Sequence, residues 1–161
     1  MENEELQALA VSVYNTMIEQ FEEQNLHFEK HDDDLYVALT VRGDDLPRDC
    51  TLAVRAEKQL VQFFSTLPFK VPADKMVDMA LSVCHVNNML IDGCFDLDPT
   101  EGWLRFRMTA AYHDSILGKE IFNRMLWLST AIIDEYNNKF LMVCKGFVDF
   151  EQFVKSTAEE N

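Results

Sequence analysis

Two histidines stand at a spacing that could hold a metal ion. His27 and His31 are four residues apart beside Asp32 and Asp33, so on a helix they would share one face as ligands. The surrounding pattern instead predicts a strand and a turn, where residues four apart lie about two strand repeats from each other. We therefore expect exposed histidines here and no metal site.

A second stretch resembles the start of a calcium-binding loop, with Asp96, Asp98 and Glu101 as possible oxygen ligands. An EF-hand also needs glycine at its sixth position and a bidentate glutamate at its twelfth. Counted from Asp96, Gly102 is seventh and Arg107 is twelfth. The stretch therefore predicts an ordinary hairpin turn, and we expect no cofactor.

Two runs of neighbouring residues contain the types found in catalytic dyads and triads, namely Cys84-His85 and His113-Asp114-Ser115. Such groups are assembled by contact in space, and sequence neighbours on a helix or loop rarely have the required geometry. The chain also lacks a phosphate-binding loop, a glycine-rich dinucleotide fingerprint and paired-cysteine zinc spacing. We expect no catalytic residues and no enzyme.

The chain is acidic, and the acidity is concentrated near its start. It has 161 residues and a formal net charge of −14, and residues 1–45 hold 12 acidic and 2 basic side chains. Nucleic acids and anionic membrane surfaces attract stripes of Lys and Arg. The composition therefore predicts a protein that binds neither nucleic acid nor membrane.

The sequence favours a cytoplasmic location. The stretch Met1–Glu5 has neither the basic start nor the apolar run of a secretory signal, and the most apolar run, Met125–Ile133, is far shorter than the roughly 20 residues that span a bilayer. Four cysteines lie far apart: Cys50, Cys84, Cys94 and Cys144. In a reducing cytosol such cysteines are mostly small buried hydrophobes, although four cysteines allow three disulfide pairings.

Hydrophobic periodicity predicts one α+β domain over residues 1–161. Apolar residues that recur about every 3.6 positions indicate helices, and those that recur at every second position indicate strands. The short loops between strands favour a largely antiparallel sheet with flanking helices. The expected order is α-βββ(β)-α-ββ-α. The helices are expected at 3–24, 73–91 and 116–145, and the strands at 26–30, 35–41, 52–56, 60–67 and in a hairpin over 94–112.

A stripe of phenylalanines, Phe147, Phe150 and Phe153, follows Gly146, which should end the long helix. It predicts a short C-terminal aromatic helix over 147–155 that docks on the core. The alternative is that this helix occupies a groove that a partner helix would otherwise fill.

One face of the predicted sheet combines aromatic side chains with arginine, which protein-binding surfaces are enriched in. Our candidate partner-binding residues are Tyr36, Arg55, Phe64, Trp103, Arg105 and Arg107. In the alternative interpretation a helix covers this face, or solvent does, with each arginine paired to a neighbouring carboxylate.

The stretch Gly93–Arg107 resembles the hairpin of the bacterial YbjN family, together with Asn87-Asn88 before it and the Pro68…Val71-Pro72 segment upstream. The resemblance covers roughly residues 26–145. The order of elements is similar to the fold of type III secretion chaperones, small acidic cytoplasmic homodimers that hold unfolded stretches of client proteins. The family is described as sensory-transduction regulators and brings no catalytic residues to this chain. The phenylalanine-rich tail departs from its pattern.

These observations favour a non-enzymatic protein-binding module, chaperone-like or regulatory, that binds a protein or peptide client. We expect a homodimer, because a small sheet can cover only part of the apolar helices 73–91 and 116–145. The alternative is a small-molecule sensor or weak enzyme with a cleft between the sheet and the long C-terminal helix. Convergent polar groups such as His85, Asn87 or Arg107 would favour that alternative.

Overall fold

The computed structural model describes residues 3–43 and 46–158. Its elements in chain order are α1 (Asn3–Glu23), β1 (Glu29–His31), β2 (Tyr36–Arg42), β3 (Pro47–Arg55), β4 (Leu60–Lys70), α2 (Met76–Met89), β5 (Cys94–Leu97), β6 (Trp103–Ala111), α3 (Lys119–Cys144) and α4 (Phe150–Ala158). A short 3₁₀ turn, Ala73–Lys75, leads into α2.

The strands form one six-stranded sheet in the order β1-β2-β3-β4-β6-β5, and every neighbouring pair is antiparallel. Strands that follow one another in the chain also pair with one another, except where α2 intervenes between β4 and β5. This arrangement confirms the predicted α+β fold with a largely antiparallel sheet.

The core lies between one face of the sheet and the helices. Alternate residues of β2, β4 and β6 point to this face and are buried, as the period-2 patterns predict. The residues on this face include Val37, Leu52, Phe63, Leu104 and Phe106, each with no exposed surface. The long helix α3 supplies the opposing side with Phe122, Leu126, Phe140 and Val143. Among the described residues, no helix has the length and apolar character needed to cross a bilayer.

The predicted end of the long helix is confirmed. Gly146 has a φ of +72°, and the amides of Gly146 and Phe147 donate to the carbonyls of Val143 and Met142. This is the Schellman arrangement, in which the left-handed residue lets the chain turn back and satisfy the last carbonyls of the helix. Glycine adopts this conformation without steric cost.

The aromatic C-terminal helix begins three residues later than predicted, at Phe150. Asp149 explains the shift, since its side chain accepts the amide of Gln152 and the Gln152 side chain accepts the amide of Asp149. This reciprocal capping box defines the first turn. Phe153 is fully buried on the core and Phe150 half-buried, whereas Phe147 precedes the helix and is 65% exposed.

Other boundaries also differ from prediction. β1 covers only 29–31, and β3 begins at Pro47, because Arg48 and Pro47 pair with Val41 and Arg42 at the end of β2. The long helix begins at Lys119, since 116–118 are not helical. Of the four unpaired cysteines, Cys50 is buried and two are half-buried, but Cys84 is exposed on the outward side of α2, contrary to expectation.

We expect replacement of Phe153 by alanine to destabilise the protein by about 3 kcal/mol, because it removes a fully buried ring that stacks on Phe140 at 5.4 Å. The matched control is Phe147→Ala, at an exposed position, which should change the free energy of unfolding by less than about 0.5 kcal/mol. Urea denaturation of both variants provides the measurement. Equal losses would show that α4 is not docked on the core.

Candidate functional site

The second face of the sheet, which we name the outer face, carries all six candidate partner-binding residues. Tyr36 lies on β2, Arg55 on β3 and Phe64 on β4, while β6 contributes Trp103, Arg105 and Arg107. Arg55 is exposed and the other five are half-buried. The helices pack against the opposite face, so no described helix covers these side chains.

Register brings some of these residues together and separates others. Phe64 lies directly opposite Arg107, and Trp103 lies beside Arg105, whose guanidinium is 4.8 Å from the centre of its ring. Tyr36 belongs to another row, where it stacks on His31 with ring centres 4.1 Å apart. Arg55 pairs with Leu60 at the far end of β3. The candidate residues therefore form one cluster of four and two outlying positions.

Asp96 on β5 completes the cluster and was not among the predicted site residues. Its carboxylate accepts hydrogen bonds from Arg107 Nε at 2.9 Å and Nη2 at 3.2 Å, and from Arg105 Nη2 at 3.1 Å. The antiparallel register places Asp96 opposite Arg105. The register of the hairpin is centred between Thr100 and Glu101, so a predicted turn placed there would have indicated this pairing.

The two arginines keep Asp96 ionised. Burial opposes ionisation of its carboxyl, but hydrogen bonds and positive charge from Arg107 and Arg105 outweigh that effect and lower its pKa. The hydrogen bonds to Asp96 in turn raise the pKa of Arg107. Two guanidinium groups and one carboxylate leave the cluster with one surplus positive charge. A cluster with a surplus positive charge beside aromatic rings has the chemistry to accept a negatively charged or aromatic group.

Cys94 lies next to the same cluster, with its sulfur 3.3 Å from Arg107 Nη2. Burial raises the pKa of the Cys94 thiol more than the Arg107 charge lowers it. A raised pKa keeps the sulfur protonated, and the thiolate is the nucleophilic form. The residues around Cys94 thus support packing rather than covalent chemistry.

The stretches that could have bound metal have other roles. His31 stacks on Tyr36, and Asp98 accepts the amides of Thr100 and Glu101 in an ordinary hairpin turn. Within residues 3–43 and 46–158, no group of three or more His, Cys, Asp or Glu side chains is arranged to hold a metal ion.

The polar groups that would favour a sensor or enzyme do not converge. His85 Nε2 lies 3.0 Å from the Thr157 hydroxyl on α4, while the Asn87 side chain donates to the carbonyl of Phe95 and accepts its amide. Arg107 is on the outer face, where its side chain contacts Asp96 and Cys94. Between the sheet and α3, a cavity lined by Arg48, Ser65, Ile133 and Asn137 measures only about 40 Å³.

Comparison with known proteins identifies the fold. A scan against protein families and a search of curated proteins found no match. Among solved structures, YbjN from E. coli, a proposed transcription regulator, matches 78% of this chain and 91% of its own with a TM-score of 0.56 at 12% identity. The type III secretion chaperone ExsC, in the ExsC–ExsE complex, matches 81% and 94% with a TM-score of 0.56 at 16% identity. The fold is YbjN-like and type III secretion chaperone-like, as the sequence resemblance predicted.

We expect Asp96→Asn to lower stability by about 1–2 kcal/mol at neutral pH, because it removes the carboxylate shared by Arg105 and Arg107. The pKa of Asp96 is lowered from 3.8, so this contribution is complete above that value and is lost as the pH falls through the lower folded-state pKa. The difference between wild type and variant should therefore shrink from about pH 5 to about pH 2.

Urea denaturation across that pH range provides the measurement. The control is Asp33→Asn, because Asp33 is an exposed residue of the turn between β1 and β2. A stability difference for Asp96→Asn that stays constant down to the lowest pH would contradict the ion-pair assignment.

Proposed function

We propose that this chain is a non-enzymatic protein-binding module, chaperone-like or regulatory, that acts in the cytoplasm. The observation that carries the proposal is the uncovered outer face, where half-buried Phe64 and Trp103 lie among arginines. Aromatic and arginine side chains dominate the binding energy of protein interfaces. ExsC, which shares the fold, is found in complex with ExsE. The net charge of −14 argues against nucleic acid as the partner.

The partner in this proposal is a protein or peptide client, and it contacts the cluster formed by Phe64, Trp103, Arg105 and Arg107, with Tyr36 and Arg55 at the margins. Half-buried aromatic rings are held in place by their neighbours, so little conformational entropy is lost when a partner covers them. The stacking of Arg105 on Trp103 fixes that pair in the same way.

We also propose that the chain forms a homodimer through the outward side of α2. Val77, Ala80, Leu81 and Cys84 fall at helical spacing on that side and are exposed, with 73% of Val77 and 46% of Leu81 accessible. An apolar groove of about 440 Å³ adjoins the stripe, lined by Met76, Val83, Leu97 and Pro99 among others. These stripe residues carry no charge, so two acidic copies could approach here with little repulsion.

To test the client site, wild type and the variant Phe64→Thr/Trp103→Thr are used to capture proteins from the native cell. We expect an identified client to bind the variant at least about tenfold more weakly, because two aromatic anchors are lost. The matched control, Ile116→Thr/Phe147→Thr, replaces exposed apolar residues away from the sheet. Equal affinity of both variants for every client would refute the outer face as the binding site.

To test the dimer, light scattering after size exclusion is applied at micromolar concentration. We expect twice the chain mass of 18.7 kDa for wild type and a single chain mass for Val77→Glu/Leu81→Glu, because buried unpaired carboxylates oppose association. Ile116→Glu, at a position 95% exposed outside α2, should remain dimeric. A monomeric wild-type protein would overturn this part of the proposal.

A further inference from the structure

One row of side chains crosses all six strands of the outer face. Consecutive pairings in the register link Glu29, Ala38, Thr51, Phe64, Arg107 and Cys94. A partial neighbouring row contains Thr40 and Asp49 on one side of the sheet, and Thr66, Arg105 and Asp96 on the other. Glu29 and Asp49 therefore lie on one half of the sheet, and Arg105 and Arg107, with Asp96 between them, lie on the other.

The acidic half contains an open concavity of about 570 Å³. Ala38, Thr40 and Thr51 line it, and Glu29 and Asp49 add two exposed carboxylates. Asp49 accepts a hydrogen bond from the Thr40 hydroxyl at 2.8 Å, and Glu29 lies 3.9 Å from His31. Because the outward side chains of Ala38, Thr40 and Thr51 are small, a side chain from a partner has room to enter and reach the two carboxylates.

The basic half carries the surplus positive charge of Arg105 and Arg107 over Asp96. Arg107 contacts Asp96 through Nε and Nη2, and a guanidinium group has five N–H donors, so donors remain for a second carboxylate. Phe64 lies between the two halves and offers an apolar contact. Arg42 and Arg55 lie at the ends of β2 and β3, outside both rows.

The distance between the two halves sets the length of a matching ligand. Neighbouring strands are about 4.8 Å apart, so Arg107 lies roughly 10 Å across the sheet from the strand of Asp49 and roughly 19 Å from that of Glu29. An extended chain advances about 3.3 Å per residue. Oppositely charged residues about three to six positions apart in a peptide would therefore reach the two halves together.

We propose, on the basis of the protein-binding function proposed above, that the outer face selects client segments by a dipolar charge pattern. The segment carries a basic residue at one end and a carboxylate at the other, about three to six positions apart, with an apolar residue between them. The basic residue lies at Glu29 and Asp49, the carboxylate at Arg105 and Arg107, and the apolar residue on Phe64. A client peptide that runs in either direction across the sheet satisfies this charge pattern.

The experiment uses four short peptides with acetylated and amidated ends, identical in an interior of Thr, Val and Phe. Their two end residues, about five positions apart, are Lys and Glu, Glu and Glu, Lys and Lys, or Gln and Gln. Binding is measured by NMR titration of the isotope-labelled full chain. We expect the Lys and Glu peptide to bind wild type about three- to fivefold more tightly than the other three.

Charge reversal on the protein should change the preference in a defined way. Glu29→Lys/Asp49→Lys, at two exposed positions, should prefer the Glu and Glu peptide, whereas Arg105→Glu/Arg107→Glu should prefer the Lys and Lys peptide. If the arginine variant does not fold, as judged by its amide spectrum, the Lys variant alone decides the outcome. Phe64→Thr should weaken the binding of all four peptides.

Three results would overturn the inference. These are equal binding of the four peptides, no binding of any peptide, and a preference that stays the same after Glu29→Lys/Asp49→Lys. Equal binding that is lost with Phe64→Thr would leave the outer face as a binding platform without charge selection. Client capture with Phe64→Thr/Trp103→Thr decides the proposed function separately, because it does not depend on these peptides.

Discussion

The fold depends on a cluster of aromatic rings that joins the sheet, the long helix α3 and the C-terminal helix α4. Phe95 on β5 lies 5.0 Å from both Phe106 on β6 and Phe140 on α3, measured between ring centres, and Phe140 stacks on Phe153 of α4. Edge-to-face and offset-stacked rings bury large apolar areas in fixed orientations. The cluster therefore attaches the β5–β6 hairpin to α3 and holds the C-terminal helix in place. Without it, the sheet and the helices would share much less apolar surface.

This packing also determines where a partner can bind. Since the helices lie on the face that bears Phe106, strand alternation sends Arg105 and Arg107 to the other face. The same hairpin that supplies the core thus supplies the charged cluster around Asp96. In addition, an ion pair between the buried Arg48 on β3 and the half-buried Asp134 on α3 links the sheet to the long helix. Core and candidate site are therefore two sides of the same strands, and a change in register would disturb both.

The outer face is unusual in this acidic chain because it carries both acidic and basic side chains, with Arg105 and Arg107 grouped around Asp96. Most of the excess negative charge lies in residues 1–45, largely on the surface of α1 and in the turn after β1. Lys119 of α3 pairs with Glu19 and Glu23 of α1, so part of this acidity stabilises helix packing. The outer face of the sheet therefore offers complementary groups to both positively and negatively charged partners. Charged groups on such a surface contribute more to the specificity of binding than to its affinity.

The amino-acid sequence by itself determined the elements, their order and the two faces of each strand, because hydrophobic periodicity is a local property of the chain. It also identified the end of α3 at Gly146 and the residues of the outer face. Asp96 was missed as the partner of Arg105 and Arg107, and the start of α4 was placed too early, although the hairpin turn and the Asp149–Gln152 capping box are local features of the sequence. Only the tertiary structure decided which face the helices cover and which residues share a row. The physical reason is that register across β4 and β6 and the burial of Phe153 come from contacts between residues far apart in the chain, which local patterns do not encode.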